Sequence, residues 1–155
     1  VGYTNAGKSS LFNQLTNAST WANNQLFATL DPLVRHMSVP GIDQKMLLID
    51  TIGFMRDLPD ALLSSFHSTL EEITFCDLIL HVIDCSDPEM NEKIQSVEQS
   101  LSIIEAQDIS RINVFNKLDM NVHFKDHVPS NACAISSLKK SSVQSLYLAL
   151  QRYLA

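Results

Sequence analysis

The first ten residues, VGYTNAGKSS, constrain the fold of this 155-residue chain more than any other stretch. Gly2 and Gly7 bracket four residues, and Lys8 and Ser9 follow at once, which is the spacing G-x-x-x-x-G-K-[ST] of a phosphate-binding P-loop. Glycine lets the backbone approach an anion closely, and a helix that begins near Lys8 adds its N-terminal N–H groups. The pattern predicts that Lys8 contacts the β- and γ-phosphates of a nucleotide and that Ser9 binds Mg²⁺. The predicted loop comprises Gly2, Tyr3, Thr4, Asn5, Ala6, Gly7, Lys8, Ser9 and Ser10.

Short apolar runs alternate with amphipathic stretches along the rest of the chain. Leu33 to Val39 and Met46 to Ile49 predict an antiparallel hairpin, because a polar turn separates them. Three later apolar runs predict buried strands: Leu78 to Ile83, Ile112 to Phe115 and Ala132 to Ile135. Apolar residues three or four positions apart predict helices between these strands. Strands that alternate with helices favour an α/β fold with a mainly parallel sheet covered on both faces.

The start of the chain lies inside the P-loop motif. Such a loop normally follows a buried β-strand, and only Val1 of that strand is present here. We therefore expect residues 1–155 to form one domain with a truncated first strand, as an N-terminal truncation of a longer protein. The absent strand would leave a gap beside the strand that ends at Asp50.

The composition argues against several classes of partner. The net charge is −6, so this domain is not expected to bind DNA or RNA through a basic face. No stretch approaches the about 20 apolar residues of a membrane span. The 3 cysteines are too few and too scattered for a disulfide framework or a zinc site, which favours a reduced, intracellular protein. We expect the cytoplasm, with a mitochondrion or another organelle as the alternative, since a targeting segment would lie upstream.

Two candidate phosphate and metal elements accompany the P-loop. Asp50-Thr51-Ile52-Gly53 has the pattern D-x-x-G at the end of a predicted strand. Its Asp50 carboxylate can hold Mg²⁺ through water, and the Gly53 N–H can bind the γ-phosphate. Thr29 lies between the P-loop helix and the hairpin, where a second Mg²⁺ ligand is expected. Lys8, Thr29 and Gly53 are thus the candidate catalytic residues.

The stretch Asn116-Lys117-Leu118-Asp119 predicts selectivity for guanine. The Asp119 carboxylate can accept hydrogen bonds from N1–H and the exocyclic amine of guanine, and adenine presents no such pair of donors. The aliphatic stem of Lys117 can lie along the base. Backbone N–H groups at the end of the last predicted strand could meet the guanine carbonyl oxygen, although a plain strand end remains an alternative there: Ser136, Ser137 and Leu138.

Four stretches resemble the HflX family of ribosome-associated GTPases: VGYTNAGKSSLFNQLT, QLFATLDP, DTIGFMRDLPDALLSSFHSTLEE and DLILHVIDCSDP. The resemblance implies the three-layer P-loop GTPase fold, GTP and GDP as ligands, and Mg²⁺ at Ser9 and Thr29. It implies a second switch from Asp50 and a first switch with Phe27, Ala28, Thr29, Leu30 and Asp31. It also implies association with the large ribosomal subunit, mainly through an upstream domain. Ser137 departs from the alanine usual in the family, and Lys140 and Ser142 replace usual glycines, so we expect an altered loop there.

Hydrolysis is expected to be slow without a partner. Phe54 follows Gly53, and it cannot orient a water as the glutamine of Ras-like GTPases does, which predicts stimulation by a partner such as the ribosome. Arg56 is either an arginine finger or a solvated charge. Asn5 resembles the K⁺ ligand of potassium-activated GTPases, or it is an asparagine tolerated in a left-handed turn. Two other functions remain open, namely a nucleotide-sensing module with negligible hydrolysis and an inactive truncated fragment.

Overall fold

The structure is a computed structural model that describes residues 1–17, 33–51, 53 and 72–154. Its helices are α1 (Lys8–Leu15), α2 (Met90–Ile103) and α3 (Gln144–Leu154). Its strands are β1 (Leu33–Met37), β2 (Met46–Asp50), β3 (Ile79–Asp84), β4 (Arg111–Asn116) and β5 (Ala132–Ala134). Short 3₁₀ helices span Val122–His127 and Lys140–Val143.

The strands form two ladders of hydrogen bonds within the described residues. β1 and β2 pair antiparallel, with Leu33 opposite Asp50, as the sequence predicts for the hairpin. β3, β4 and β5 form a parallel sheet in that order. Asp84 lies opposite Asn116 in this register, so the last residues of β3 and β4 reach the same edge of the sheet.

Val1 lies beside β3 and is hydrogen-bonded to it. Its amino group donates to the Leu80 carbonyl at 2.9 Å, and the Val82 N–H donates to the Val1 carbonyl at 2.8 Å. A cavity of about 100 Å³, lined partly by Leu47 and Ile49 of β2, separates the hairpin from β3. The hairpin and the parallel sheet are separate ladders of the described residues, with this cavity between them.

Helices cover the two faces of the parallel sheet. α1 and α3 contribute Leu11 and Leu146 to a core that includes Val114 of β4. On the other face, α2 packs Val97 and Leu101 against the sheet. This three-layer arrangement agrees with the alternating pattern of strands and helices in the sequence.

Most predicted elements are present, with ends that move by one or two residues. The sequence predicts an irregular connection from Met120 to Asn131, but the structure contains the 3₁₀ helix Val122–His127 in this segment. The spacing of apolar residues predicts a further helix that starts near Asp60, and it lies outside the described residues apart from residues 72–74, where Ile73 is buried. No helix in the part of the chain that the structure describes has the length and apolar character needed to cross a membrane.

Candidate nucleotide-binding site

The P-loop wraps the start of α1 at the carboxyl end of the parallel sheet. Gly7 has φ 93° and accepts a hydrogen bond from the Leu11 N–H at 3.0 Å, so it begins the helix in a conformation that favours glycine. A Cβ on Gly7 would lie 2.2 Å from Asn116 Nδ2. The motif thus has glycine at the position where the loop comes too close to the end of β4 for a larger residue.

Lys8 is held inside this loop by the backbone. Its Nζ donates to the Tyr3 carbonyl at 3.0 Å. Gly53 packs against the same amine, since a Cβ on Gly53 would lie 2.8 Å from Lys8 Nζ. Burial lowers the pKa of Lys8 to about 8, although the negative charge of Asp50 opposes the shift. A cation that has lost its contacts with water is suited to bind an anionic ligand, because the anion would stabilise the positive charge.

Two oxygen donors suited to Mg²⁺ lie next to Lys8. The Ser9 hydroxyl donates to Asp50 Oδ2 at 2.7 Å, and Asp50 is only 3% exposed at the end of β2. Hydroxyl and carboxylate oxygens are ligands that Mg²⁺ accepts, together with phosphate oxygens and water. The hydroxyl of the following Thr51 is buried without a hydrogen-bond partner. The described residues contain no group of three or more His, Cys, Asp or Glu side chains that would hold a metal by themselves.

Asn116 connects the phosphate side of the site to the base side. Its side chain is fully buried, and its Nδ2 donates to the Ala6 carbonyl at 2.9 Å and to Ser137 Oγ at 3.2 Å. Its Oδ1 accepts from the Ser137 N–H at 2.9 Å. One carboxamide therefore links the P-loop, β4 and the loop after β5.

The loop after β5 is ordered by its serines. Ser136 Oγ donates to Asp119 Oδ1, and the Leu118 N–H donates to the Ile135 carbonyl at 3.0 Å. Ser142 Oγ accepts from the Ser136 N–H at 2.6 Å. Ser137 and Ser142, which depart from the family pattern, thus take part in the hydrogen bonds of the loop, whereas Leu138 is exposed.

Asp84 is a neighbour of the site that the sequence did not single out. Its Oδ2 accepts from Lys117 Nζ at 2.7 Å. Its position after a buried strand was the available signal, because parallel strands bring such residues to one edge. Asn5 is exposed with φ 64°, a left-handed conformation that asparagine tolerates.

The remaining predicted site residues lie outside the described residues. They are Phe27, Ala28, Thr29, Leu30, Asp31 and Ile52, together with Phe54 and Arg56. The structure accordingly brings together Lys8, Ser9, Asp50 and Gly53 on the phosphate side. It brings together Asn116, Lys117, Asp119, Ser136 and Ser137 on the base side.

Comparisons with known proteins identify the family. Residues 1–117 match the family model described as 50S ribosome-binding GTPase. The GTPase HflX of Caldanaerobacter subterraneus subsp. tengcongensis is 46% identical over 157 residues, which covers 99% of this chain and 36% of that protein. The GTPase HflX of Escherichia coli is 45% identical over 128 residues, which covers 83% of this chain and 30% of that protein. The chain thus spans about a third of the length of these relatives.

Solved structures support the same fold. A GTP-binding protein from Sulfolobus solfataricus in complex with GDP is 27% identical, with a TM-score of 0.70 over 97% of this chain and 50% of that chain. Era in complex with MgGDPNP and a piece of 16S ribosomal RNA has a TM-score of 0.74 at 20% identity, over 98% of this chain and 54% of that chain, and shows the fold alone. On the family model and the relatives together, this chain belongs to the HflX family of P-loop GTPases.

Proposed function

We propose that this chain is the GTP-binding, GTP-hydrolysing switch of a ribosome-associated protein. The observation that carries the proposal is the fully buried Asn116 carboxamide, which binds both the Ala6 carbonyl of the P-loop and Ser137. A structural change in the P-loop would therefore be transmitted through Asn116 to the loop that is proposed to bind guanine. Such a connection is what a nucleotide-dependent switch requires.

The phosphate side would bind the nucleotide by charge and by backbone N–H groups. Lys8 would contact the β- and γ-phosphates, where its buried ammonium gains a partner for its charge. Ser9 and Asp50 would hold Mg²⁺, with Thr29 as a further ligand. Mg²⁺ would neutralise the charge that develops on the phosphate oxygens during hydrolysis. The Gly53 N–H would report the presence of the γ-phosphate to the segment that follows it.

The base side would select guanine through Asp119. The Ser136 hydroxyl orients the Asp119 carboxylate by donating to Oδ1. Backbone N–H groups near Ser137 and Leu138 would meet the guanine carbonyl oxygen. Asp119 is half-buried in the free protein, and a bound base would cover its carboxylate, so adenine would be rejected because it offers this carboxylate no donors.

Fluorescent GDP, GTP and ATP, titrated into the chain with Mg²⁺, test nucleotide binding. We expect binding of GDP and GTP at concentrations at least 100-fold below those needed for ATP, in line with the discrimination of sites that pair buried polar groups, about 10⁴-fold or more. Asp87→Asn, which changes the same charge away from the base side, serves as the control for an Asp119→Ala variant. Equal binding of ATP and GTP by the unmodified chain would contradict the proposal.

Ribosome association and stimulated hydrolysis are part of the proposal for the whole protein. The family model is described as 50S ribosome-binding, and Phe54 provides no side chain that could orient the attacking water. Multiple-turnover hydrolysis of GTP with and without large ribosomal subunits separates a switch from a sensing module. We expect subunits to increase turnover, and no turnover in either condition would favour the sensing module or an inactive fragment. The cytoplasm is the compartment that we propose.

Potassium is a separate proposal for Asn5. Its exposed position in the P-loop would let its side-chain oxygen contact a monovalent cation beside the phosphates, whereas its φ of 64° is also explained by a turn alone. Hydrolysis measured in KCl and in NaCl, with Asn5→Ala as the comparison, distinguishes the two. Equal rates in both salts would exclude the ion.

A further inference from the structure

We propose that Asp84 is a positioning residue of the guanine site, which acts by fixing the ammonium group of Lys117. The inference rests on the proposed function, because Lys117 is expected to lie along the guanine base. Asp84 itself would not contact the nucleotide.

Both carboxylate oxygens of Asp84 are engaged. Oδ2 accepts from Lys117 Nζ at 2.7 Å. Oδ1 accepts from the Ser86 N–H at 2.9 Å and from the Ser86 hydroxyl at 2.6 Å. The carboxylate is thus held in one orientation at the end of β3, and its second oxygen is directed to Lys117.

The backbone of Lys117 is held as firmly as its ammonium group. Lys117 has φ 63°, a left-handed conformation that is unusual for a residue other than glycine. The Met120 N–H donates to the Lys117 carbonyl at 2.9 Å, and the Leu118 N–H donates to the Ile135 carbonyl at 3.0 Å. Because both the backbone and the ammonium group of Lys117 are held, the aliphatic stem between them keeps one direction.

The two loops are also joined through the backbone of Cys85. The Cys85 N–H donates to the Asn116 carbonyl at 3.0 Å, and Asn121 Nδ2 donates to the Cys85 carbonyl at 2.8 Å. These bonds keep Asp84 beside Lys117 when the side chains are changed. Removal of the Asp84 charge should therefore free the Lys117 side chain without separating the loops.

The effect of Asp84 should appear in binding rather than in stability. A partly exposed ion pair contributes little to folding, because solvent already stabilises both charges. A free lysine loses many rotamers when a ligand orders it, and a lysine that is ordered beforehand does not. Asp84 would therefore strengthen nucleotide binding by removing a part of that cost.

Equilibrium binding of fluorescent GDP to the 155-residue chain tests the inference, with thermal unfolding as a second readout. Asp84→Asn should raise the Kd for GDP by about three- to tenfold, the range expected for the cost of ordering one long side chain on binding. Asp108→Asn is the control, since Asp108 is an exposed carboxylate that precedes β4 and so lies at the other end of the sheet from the site. It should leave the Kd unchanged.

A double-mutant cycle shows whether Asp84 acts through Lys117. Lys117→Met retains an aliphatic stem and removes the ammonium group, so Asp84→Asn should have no further effect on the Kd in this background. Ser86→Ala removes one of the bonds that orient Asp84 and should raise the Kd less than Asp84→Asn does. This milder change provides the test if Asp84→Asn does not fold.

The outcomes separate this inference from the proposed function. If the unmodified chain does not bind GDP, the proposed function fails and the inference fails with it. If the unmodified chain binds GDP and neither Asp84→Asn nor Ser86→Ala changes the Kd, only the inference is overturned. An equal effect of Asp84→Asn with and without the Lys117 ammonium would also overturn it.

Discussion

Binding of a nucleotide should be coupled to the uptake of a proton by Lys8. Burial lowers the pKa of this lysine from 10.5 to about 8 in the free protein, with Asp50 opposing the shift. Phosphate oxygens beside Nζ would favour the charged form and raise the pKa again. At pH 8 about half of the free molecules carry a neutral Lys8, so binding should take up about half a proton.

The affinity follows from the same pKa. The protonated fraction of Lys8 in the free protein falls from about 0.9 at pH 7 to about 0.1 at pH 9. Because the bound form requires the proton, the Kd for GDP should rise about tenfold over this range. Titration calorimetry at pH 8 in two buffers with different ionisation enthalpies measures the proton uptake directly. Lys8→Met is the control, since it leaves the titration of guanine and of the phosphates unchanged.

The free protein offers an independent readout. Between pH 8 and 10.5 the unfolded chain still binds the Lys8 proton, whereas the folded chain has released it. The contribution of Lys8 to the free energy of unfolding should therefore rise with pH through this window, by up to about 3 kcal/mol, whereas the raised pKa values of the buried Cys85 and Cys133 thiols act in the opposite direction above pH 9, so the contribution is read as the difference between wild type and Lys8→Met. Lys8→Met should lack this rise. A difference between wild type and Lys8→Met that stays constant from pH 8 to 10, together with no proton uptake at pH 8, would refute the argument.

Four further predictions concern packing and selectivity. Gly7→Ala should weaken GDP binding at least tenfold, because its Cβ would lie 2.2 Å from Asn116 Nδ2, and a nucleotide titration measures the loss. Asn116→Ala should lower the free energy of unfolding by about 2 kcal/mol in urea, because the Ala6 carbonyl loses its buried donor. Asp119→Asn should reduce GDP affinity at least 100-fold while unfolding in urea stays within about 1 kcal/mol of wild type. Leu101→Ala, at a fully buried position of α2, should lower the free energy of unfolding in urea by about 2–5 kcal/mol and leave the affinity of the folded protein for GDP unchanged.

The elements that were predictable from the sequence depend on local pattern. The strands Met46–Asp50 and Ile79–Asp84 appear as short apolar runs that end in a carboxylate, and the helix Met90–Ile103 appears as a regular apolar stripe. The 3₁₀ helix Val122–His127 was missed, because its residues show no apolar periodicity and its turns are held by the neighbouring loops. Burial of strands on both faces leaves the clearest signal, since it requires continuous apolar residues.

Ser137 makes a contact that short-range sequence patterns do not predict. The sequence left a plain strand end as the alternative to a base-binding loop. In the structure, the Ser137 N–H and hydroxyl both bind the Asn116 carboxamide, 21 positions earlier in the chain. No spacing rule predicts that contact, because it depends on how β5 pairs with β4.

The sequence by itself determined the prediction of a nucleotide site, namely a P-loop with its lysine and serine and an N-K-x-D stretch that is proposed to read guanine. These motifs can be recognised in a sequence because each requires particular residue types at short, fixed separations. Only the tertiary structure decided which residues support them. The parallel register that sets Asp84 opposite Asn116 brings a carboxylate to Lys117, and burial in the folded loop lowers the pKa of Lys8. Both effects arise from groups that are far apart in the chain and close in space, and the order of residues in the sequence does not give their distance in space.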